Sequence, residues 1–146
     1  MQRGRRMAFD YGDVRIGVAV SDRDSILVTP LAALSAQSPT LIDEIRALIE
    51  EYEPIVLVVG EPRHLSGRAS STMESVERFL LQLQSITNTP IRLVDERLST
   101  VSAAGKLRAA GKDAKSSKSL IDSAAAAEIL ESAINAERHS GPLDEE

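Results

Sequence analysis

The chain has 146 residues, of which 42% are hydrophobic and 27% charged, and its formal net charge is −5. This length and balance predict one soluble globular domain that can bury a core. The absence of cysteine excludes disulfides, thiolate zinc sites and cysteine nucleophiles. Asp10 interrupts the first apolar stretch too early for a signal peptide, and no run approaches the ~18 apolar residues of a membrane span. We therefore expect a cytoplasmic protein.

The first third of the chain has the pattern of three β-strands. Apolar segments at residues 5–11 and 15–20 flank a turn dipeptide at residues 12–13, which predicts a hairpin. A third strand is predicted over residues 26–34, where Pro30 indicates an edge strand or a bulge.

A helix and a buried strand are predicted next. Ser38 and Pro39 indicate the N-cap and the first position of a helix that ends near Tyr52. The β-branched run at residues 55–59 predicts a central strand buried on both faces, and Gly60 is expected to end it.

Helices and strands continue to alternate in the second half of the chain. Ser71 and Glu74 match a capping box, which predicts a helix that begins at Ser71. Residues 91–94 predict a fifth strand, and further helices are predicted over residues 99–110 and 117–137. Strand–helix–strand order implies parallel pairing, whereas the opening hairpin implies antiparallel pairing. The sequence therefore predicts an α/β fold with a mixed five-stranded sheet and helices on its faces.

Acidic residues follow two of the predicted strands. Asp10 ends the first strand, and Asp95 and Glu96 follow the strand at residues 91–94. Aspartate is common in turns after strands, so a structural role explains each position equally well. Ligand sites in such sheets form at the carboxyl ends of the parallel strands, and both acidic positions can reach one edge of the sheet. The presence of acidic residues after both strands therefore favours one site that contains them both.

Asp122 gives a sharper signal, because it shares one helix face with Ala126, Ile129 and Ala133. An unpaired carboxylate on an apolar face costs on the order of several kcal/mol unless it is paired, protonated or bound to metal. A salt bridge to Arg or Lys is the structural alternative. Alanines at residues 124–127 allow the helix to approach the sheet closely. Clustered carboxylates favour Mg²⁺ or Mn²⁺, and two such ions can promote phosphodiester cleavage.

The charge is unevenly distributed near the C-terminal end. Residues 97–118 contain six basic residues and one acidic residue, whereas residues 119–146 contain seven acidic residues and one arginine. A basic segment can contact a nucleic-acid backbone, and an ordinary solvated helix surface has the same pattern. The candidates for nonspecific backbone contacts are Lys112, Lys115 and Lys118. We predict one domain over residues 1–138 and an acidic tail over residues 139–146.

Four segments, which together span most of the chain, resemble the motifs of one family. They read DYGDVRIGVAVSD at residues 10–22, VVGEPR at residues 58–63 followed by Ser66 and Gly67, DERLST at residues 95–100, and IDSAAA at residues 121–126. Together they resemble the YqgF (RuvX) family of Holliday junction resolvases and pre-16S rRNA nucleases. The opening motif alone also resembles actin-like ATPases. The family resemblance implies a ribonuclease H-like (RNase H-like) fold.

The resemblance also implies catalytic, metal-binding carboxylates at Asp10, Glu96 and Asp122, with Asp95 as the substitute for Glu96. Glu61 departs from the family pattern, which has an apolar residue there, and is either a fourth site carboxylate or an exposed loop residue. Arginines that follow the predicted strand ends are candidates for phosphate binding, or else ordinary surface residues; they are Arg63, Arg68 and Arg97.

The leading interpretation is a metal-dependent nuclease that processes the 5′ end of precursor 16S rRNA in ribosome biogenesis. The residues indicate phosphodiester cleavage, and the resemblance supplies the RNA. A second interpretation changes the substrate to branched DNA, as in a Holliday junction resolvase, which favours a homodimer over a monomer. A third is a nucleic-acid-binding module without catalysis. An actin-like ATPase ranks last, because the chain is short and shows no second phosphate loop.

Overall fold

The apolar runs of the sequence form strands and helices in the order the pattern predicts. The computed structural model describes residues 2–61, 69–95 and 114–140, and at residues 61, 69–73, 95, 114–122 and 140 it describes the backbone alone. The elements in these ranges are β1 (Arg6–Tyr11), β2 (Arg15–Ser21), β3 (Val28–Ser35), α1 (Leu41–Tyr52), β4 (Val56–Glu61), α2 (Ala69–Ile86), β5 (Ile91–Asp95) and α3 (Ala114–Ser140).

The strands form one mixed five-stranded sheet in the order β3-β2-β1-β4-β5. Strand β2 pairs antiparallel with both β1 and β3, whereas β4 pairs parallel with both β1 and β5. The predicted combination of an antiparallel hairpin and parallel crossovers is therefore confirmed. Pro30 lies in the edge strand β3, where a residue without a backbone N–H is tolerated.

Helices cover both faces of the sheet, as predicted. Successive strand side chains point to opposite faces, so β1 and β4 supply two separate cores. On one face, Phe9 packs edge-on against Phe79 of α2, with ring centroids 5.8 Å apart. On the other face, Ala8 and Val58 pack with Ile129 of α3. The small side chains on this second face allow α3 to lie close to the strands.

The first helix begins later than the sequence predicts. Thr40, rather than Ser38, is the N-cap of α1, which begins at Leu41. The Leu41 N–H donates to the Ser38 carbonyl at 3.2 Å, which closes a turn that contains Pro39. The Thr40 and Ser38 hydroxyls both donate to Glu44 Oε2 at 2.7 Å, and these bonds lower the pKa of Glu44. The predicted cap is wrong because Ser38 closes this turn instead.

Two other predicted boundaries are wrong. Strand β4 continues through Gly60 to Glu61, because Gly60 pairs with Val94 in the parallel ladder with β5. Helix α2 begins at Ala69, so Ser71 lies inside the helix instead of capping it. In the first case strand pairing overrides the local glycine signal.

Helix α3 extends three residues beyond the predicted span 117–137 at each end. The predicted helix at residues 99–110 lies outside the described residues. The division into a domain at residues 1–138 and a tail at residues 139–146 stays a prediction. None of the helices in the described ranges has the length and apolar character needed to cross a membrane.

A buried ion pair fastens α3 to the beginning of β1. Arg6 is 1% exposed and Glu137 is 8% exposed. Arg6 Nε and Nη2 donate to the two carboxylate oxygens of Glu137 at 2.8 and 2.9 Å. The other guanidinium hydrogens are donated to the Gly4 and Gln2 carbonyls and the Ser25 hydroxyl. All five donors of the guanidinium are therefore satisfied, which offsets the cost of burying the charge.

We predict that Glu137→Gln lowers the free energy of unfolding by about 3–5 kcal/mol, because it leaves a buried guanidinium without its counter-charge. Urea denaturation followed by circular dichroism measures this loss. The matched control is Asp43→Asn, which removes an exposed ion pair with Arg46 and is expected to cost less than about 1 kcal/mol. Equal losses in the two variants would show that the buried pair has no special role.

Candidate active site

The carboxyl ends of β1, β4 and β5 meet at one edge of the sheet. In the parallel ladders Phe9 pairs with Val59, and Glu61 pairs with Asp95. Asp10 follows Phe9 in β1 and therefore lies at the level where β4 ends. The structure thus brings the backbones of three candidate acids, Asp10, Glu61 and Asp95, to the same edge.

The Asp10 carboxylate lies beside a position that has no side chain. Asp10 is half-buried, and a Cβ added at Gly60 would lie 3.8 Å from Asp10 Oδ1. The same Cβ would lie only 2.5 Å from Ile129 Cδ1 of α3. Glycine at this position therefore permits close packing of α3 on β4, because the Ile129 side chain occupies the place that a Cβ would take.

A hydrogen bond from β2 to a serine of α3 connects the helix to the sheet, next to a β-bulge. The β2–β3 ladder pairs Ile16 with Leu34 and Val18 with Leu31, so one residue of β2 faces two of β3. The Val18 N–H donates to the Ser123 hydroxyl at 3.0 Å, and both residues are fully buried. The Ser123 side chain therefore supplies an acceptor to the backbone N–H that adjoins the bulge.

This hydrogen bond fixes the position of the backbone of Asp122 relative to β2. Asp122 directly precedes Ser123 in α3, and Ser123 binds Val18. The neighbour of Val18 in β2 is Gly17, which pairs with Asp10 of β1. The structure therefore brings the backbone of Asp122 to the strand pair that carries Asp10, although 111 residues separate the two acids in sequence.

The apolar face of α3 is confirmed for the residues whose side chains are described. Ala126, Ile129 and Ala133 are buried against the sheet, with exposed fractions of 0, 0 and 4%. The prediction that alanines allow a close approach is also confirmed, since Ala126 packs in one core with Ala8 and Val58 of the strands. The membership of Asp122 on this face stays a prediction, because its side chain is not described.

Several predicted site residues are not placed by the structure. For Lys115 and Lys118 in α3 only the backbone is described, as it is for Glu61, Asp95 and Asp122. Among the side chains that are described, no three His, Asp or Glu residues form a group that could hold a metal ion. Asp10 alone of the candidate carboxylates contributes a side chain to that search. The candidates outside the described residues are Glu96, Arg63, Arg68, Arg97 and Lys112.

Three residues that hold α3 on the sheet were not predicted from the sequence. Ser123 directly precedes four alanines in a segment predicted to be buried. A polar side chain next to such a segment is the sequence feature that could have indicated a buried hydrogen bond. Arg6 follows two other basic residues closely and looks like part of a charged terminus. Glu137 resembles any acidic residue on a solvated helix. The last two are recognised only once the fold brings them together across 131 residues.

The fold is similar to those of two solved Holliday junction resolvases. A structure of Thermus thermophilus RuvC in complex with a Holliday junction substrate matches with a TM-score of 0.56 and 16% identity, over 94% of this chain and 97% of that one. The fowlpox virus resolvase with its substrate Holliday junction DNA matches with a TM-score of 0.53 and 13% identity, over 90% and 97% of the two chains. The chain therefore has the predicted ribonuclease H-like fold.

Sequence relatives define the class of protein. A Streptomyces coelicolor protein named "Putative pre-16S rRNA nuclease" is 48% identical over 143 residues, which cover 97% of this chain and 86% of that protein. A Mycolicibacterium smegmatis protein of the same name is 44% identical over 134 residues, or 88% and 79% of the two chains. With this fold, these relatives identify the chain as a nuclease, which favours the enzymatic interpretations over a binding module.

Within that class, the chain belongs to the RuvX family, described as Holliday junction resolvase, whose sequence model matches residues 4–136. The match contains all four motifs found in the sequence. The resemblance that these motifs suggested is therefore confirmed.

We predict that Ser123→Ala lowers the free energy of unfolding by about 1–3 kcal/mol, because the buried Val18 N–H loses its acceptor. Amide exchange in D₂O, followed by NMR, should also accelerate at Val18. The control is Ser132→Ala, a half-buried serine on the same helix, which should change neither quantity appreciably. Unchanged exchange at Val18 in the Ser123→Ala variant would contradict the proposed anchoring role of this hydroxyl.

Proposed function

We propose that this RuvX-family protein is a metal-dependent nuclease that processes the 5′ end of precursor 16S rRNA in the cytoplasm, as part of ribosome biogenesis. The observation that carries the proposal is the convergence of Asp10 with the backbones of Glu61, Asp95 and Asp122 at one edge of the sheet. The relatives named for pre-16S rRNA supply the substrate.

A divalent cation fits the chemistry of this edge. Carboxylate oxygens are hard ligands that suit Mg²⁺ or Mn²⁺. Asp10 is half-buried at this edge, so the residue is still in contact with solvent. When bound, such an ion would lower the pKa of the attacking water and stabilise the leaving oxygen. The proposed ligands are Asp10, Glu96 and Asp122, with Asp95 and Glu61 as alternative oxygen donors.

The chain itself contributes rigidity and phosphate binding. Asp10 is carried by β1, a central strand with neighbours on both sides, so its carboxylate sits on a fixed support. Helix α3 is held at Ser123 and again at Glu137. Basic residues that follow the strand ends in sequence, or that precede Asp122, are proposed to bind backbone phosphates, with guanidinium groups binding in bidentate fashion. They are Arg63, Arg68, Arg97, Lys112, Lys115 and Lys118.

A second candidate function is cleavage of four-way DNA junctions, which the family description and both resolvase structures favour. This function requires two symmetric cuts and hence a twofold dimer, whereas RNA processing can be performed by a monomer. Sedimentation with a four-way junction, followed by mapping of the nicks, separates the two. Paired symmetric nicks made by a dimer support junction resolution, and a monomer that leaves the junction intact refutes it.

We predict that Asp10→Asn and Asp122→Asn each reduce cleavage of precursor 16S rRNA by at least about 100-fold, since even outer-shell changes at metal sites cost 10–100-fold. The assay uses purified full-length protein with Mg²⁺ or Mn²⁺. Asp43→Asn, which neutralises an exposed acid on α1, is the control and should cut normally. Undiminished cutting by both site variants would refute the proposed mechanism.

A further inference from the structure

An arginine-lined cavity lies at the amino end of β1, remote from the candidate active site. Its volume is about 300 Å³, and the lining includes Arg3, Arg5 and Arg23 together with Tyr52 and Glu53. We call this cavity the arginine pocket. The nuclease mechanism proposed above makes no use of any of these residues.

Two of the three guanidinium groups in the arginine pocket have no acidic partner in the described ranges. Arg3 Nε is paired with Asp24 Oδ1 at 2.7 Å. Arg5 and Arg23 form no ion pair with any acid in the described part of the chain. The acid in the lining, Glu53, is exposed at the end of α1. The pocket therefore carries positive charge that an anionic ligand can neutralise.

The backbone around the arginine pocket is held in place before any ligand binds. The Gly4 N–H donates to the Arg23 carbonyl at 2.9 Å, and the Ile55 N–H donates to the Arg5 carbonyl at 2.8 Å. A Cβ at Gly4 would lie 2.7 Å from Ile55 Cγ2, so these segments are packed closely. A preformed pocket loses less conformational entropy when a ligand binds.

We propose that the arginine pocket binds a backbone phosphate of the RNA substrate, outside the cleavage site. This proposal rests on the proposed RNA-cleaving function. Guanidinium groups bind phosphate oxygens in bidentate geometry, and a nuclease substrate carries such a group on every nucleotide. Asp10 lies five residues from Arg5 along β1, or roughly 16 Å at the rise of a strand. The strand between them is buried, with Met7, Ala8 and Phe9 at 0% exposure, so an RNA that contacts both places must pass around the sheet. It therefore needs more phosphates than the about five of a straight stacked strand.

The test compares RNAs of two lengths, using Asp10→Asn protein so that binding is measured without cleavage. One RNA extends well beyond the cleavage site, and the other is a short oligonucleotide centred on it. We expect Arg5→Ala combined with Arg23→Ala to weaken binding of the long RNA by about tenfold or more. The slope of log K against log salt should fall by about 1–2. Binding of the short RNA should be unchanged.

The matched control removes two other exposed arginines, Arg46→Ala and Arg78→Ala, which make local contacts on α1 and α2. This control should bind the long RNA like the parent protein. Equal weakening in the two double variants would overturn the proposal, because total charge alone would then explain the effect. Urea denaturation of both variants establishes that each is folded.

Two further outcomes are decisive. If inorganic phosphate binds the arginine pocket while the pocket variants bind long RNA normally, the site serves a free phosphate compound and the RNA assignment is wrong. If wild-type protein fails to cut precursor RNA but the pocket variants still lose long-RNA binding, the pocket survives and the proposed cleavage function fails. The two proposals are therefore separately refutable.

Discussion

Close packing of α3 against the sheet is the constraint on which the candidate active site depends. The helix lies so near β4 that a single Cβ at Gly60 would overlap Ile129. This proximity requires small residues on the strands and on the helix, which Ala8, Ala19 and Ala126 provide. Only with α3 this close does the backbone of Asp122 reach the strands that carry Asp10.

Polar contacts then fix the position of α3 along the sheet. Apolar packing is not directional and would tolerate a helix shifted along its axis. The Ser123–Val18 hydrogen bond in the first half of the helix and the bidentate Arg6–Glu137 pair near its C-terminus remove that freedom. The proposed arrangement of several carboxylates around a hard cation would need such support, because metal geometry tolerates little displacement.

Local patterns in the sequence were sufficient to predict most of the strands, the mixed sheet and the edge position of Pro30, because period and turn chemistry are encoded over a few residues. The boundaries at Ser38, Gly60 and Ser71 were wrong. At Gly60 the reason is the pairing with β5, and at Ser38 it is a turn whose hydroxyls bind Glu44. The Arg6–Glu137 pair could not be predicted from any local pattern, because the two residues are 131 positions apart in the sequence. The motifs were sufficient to identify the family and to select the candidate acidic residues. The distances between the side chains of these acids cannot be predicted from their spacing in the sequence.

We propose that Asp10 and Asp122 share one divalent cation. The most direct measurement is a crystal structure of the full chain soaked with Mn²⁺, with the ion located by its anomalous signal. We expect a peak within about 2.0–2.3 Å of oxygens from both carboxylates, as hard-cation coordination requires. A peak elsewhere, or the two carboxyl groups held apart by separate partners, would contradict the account.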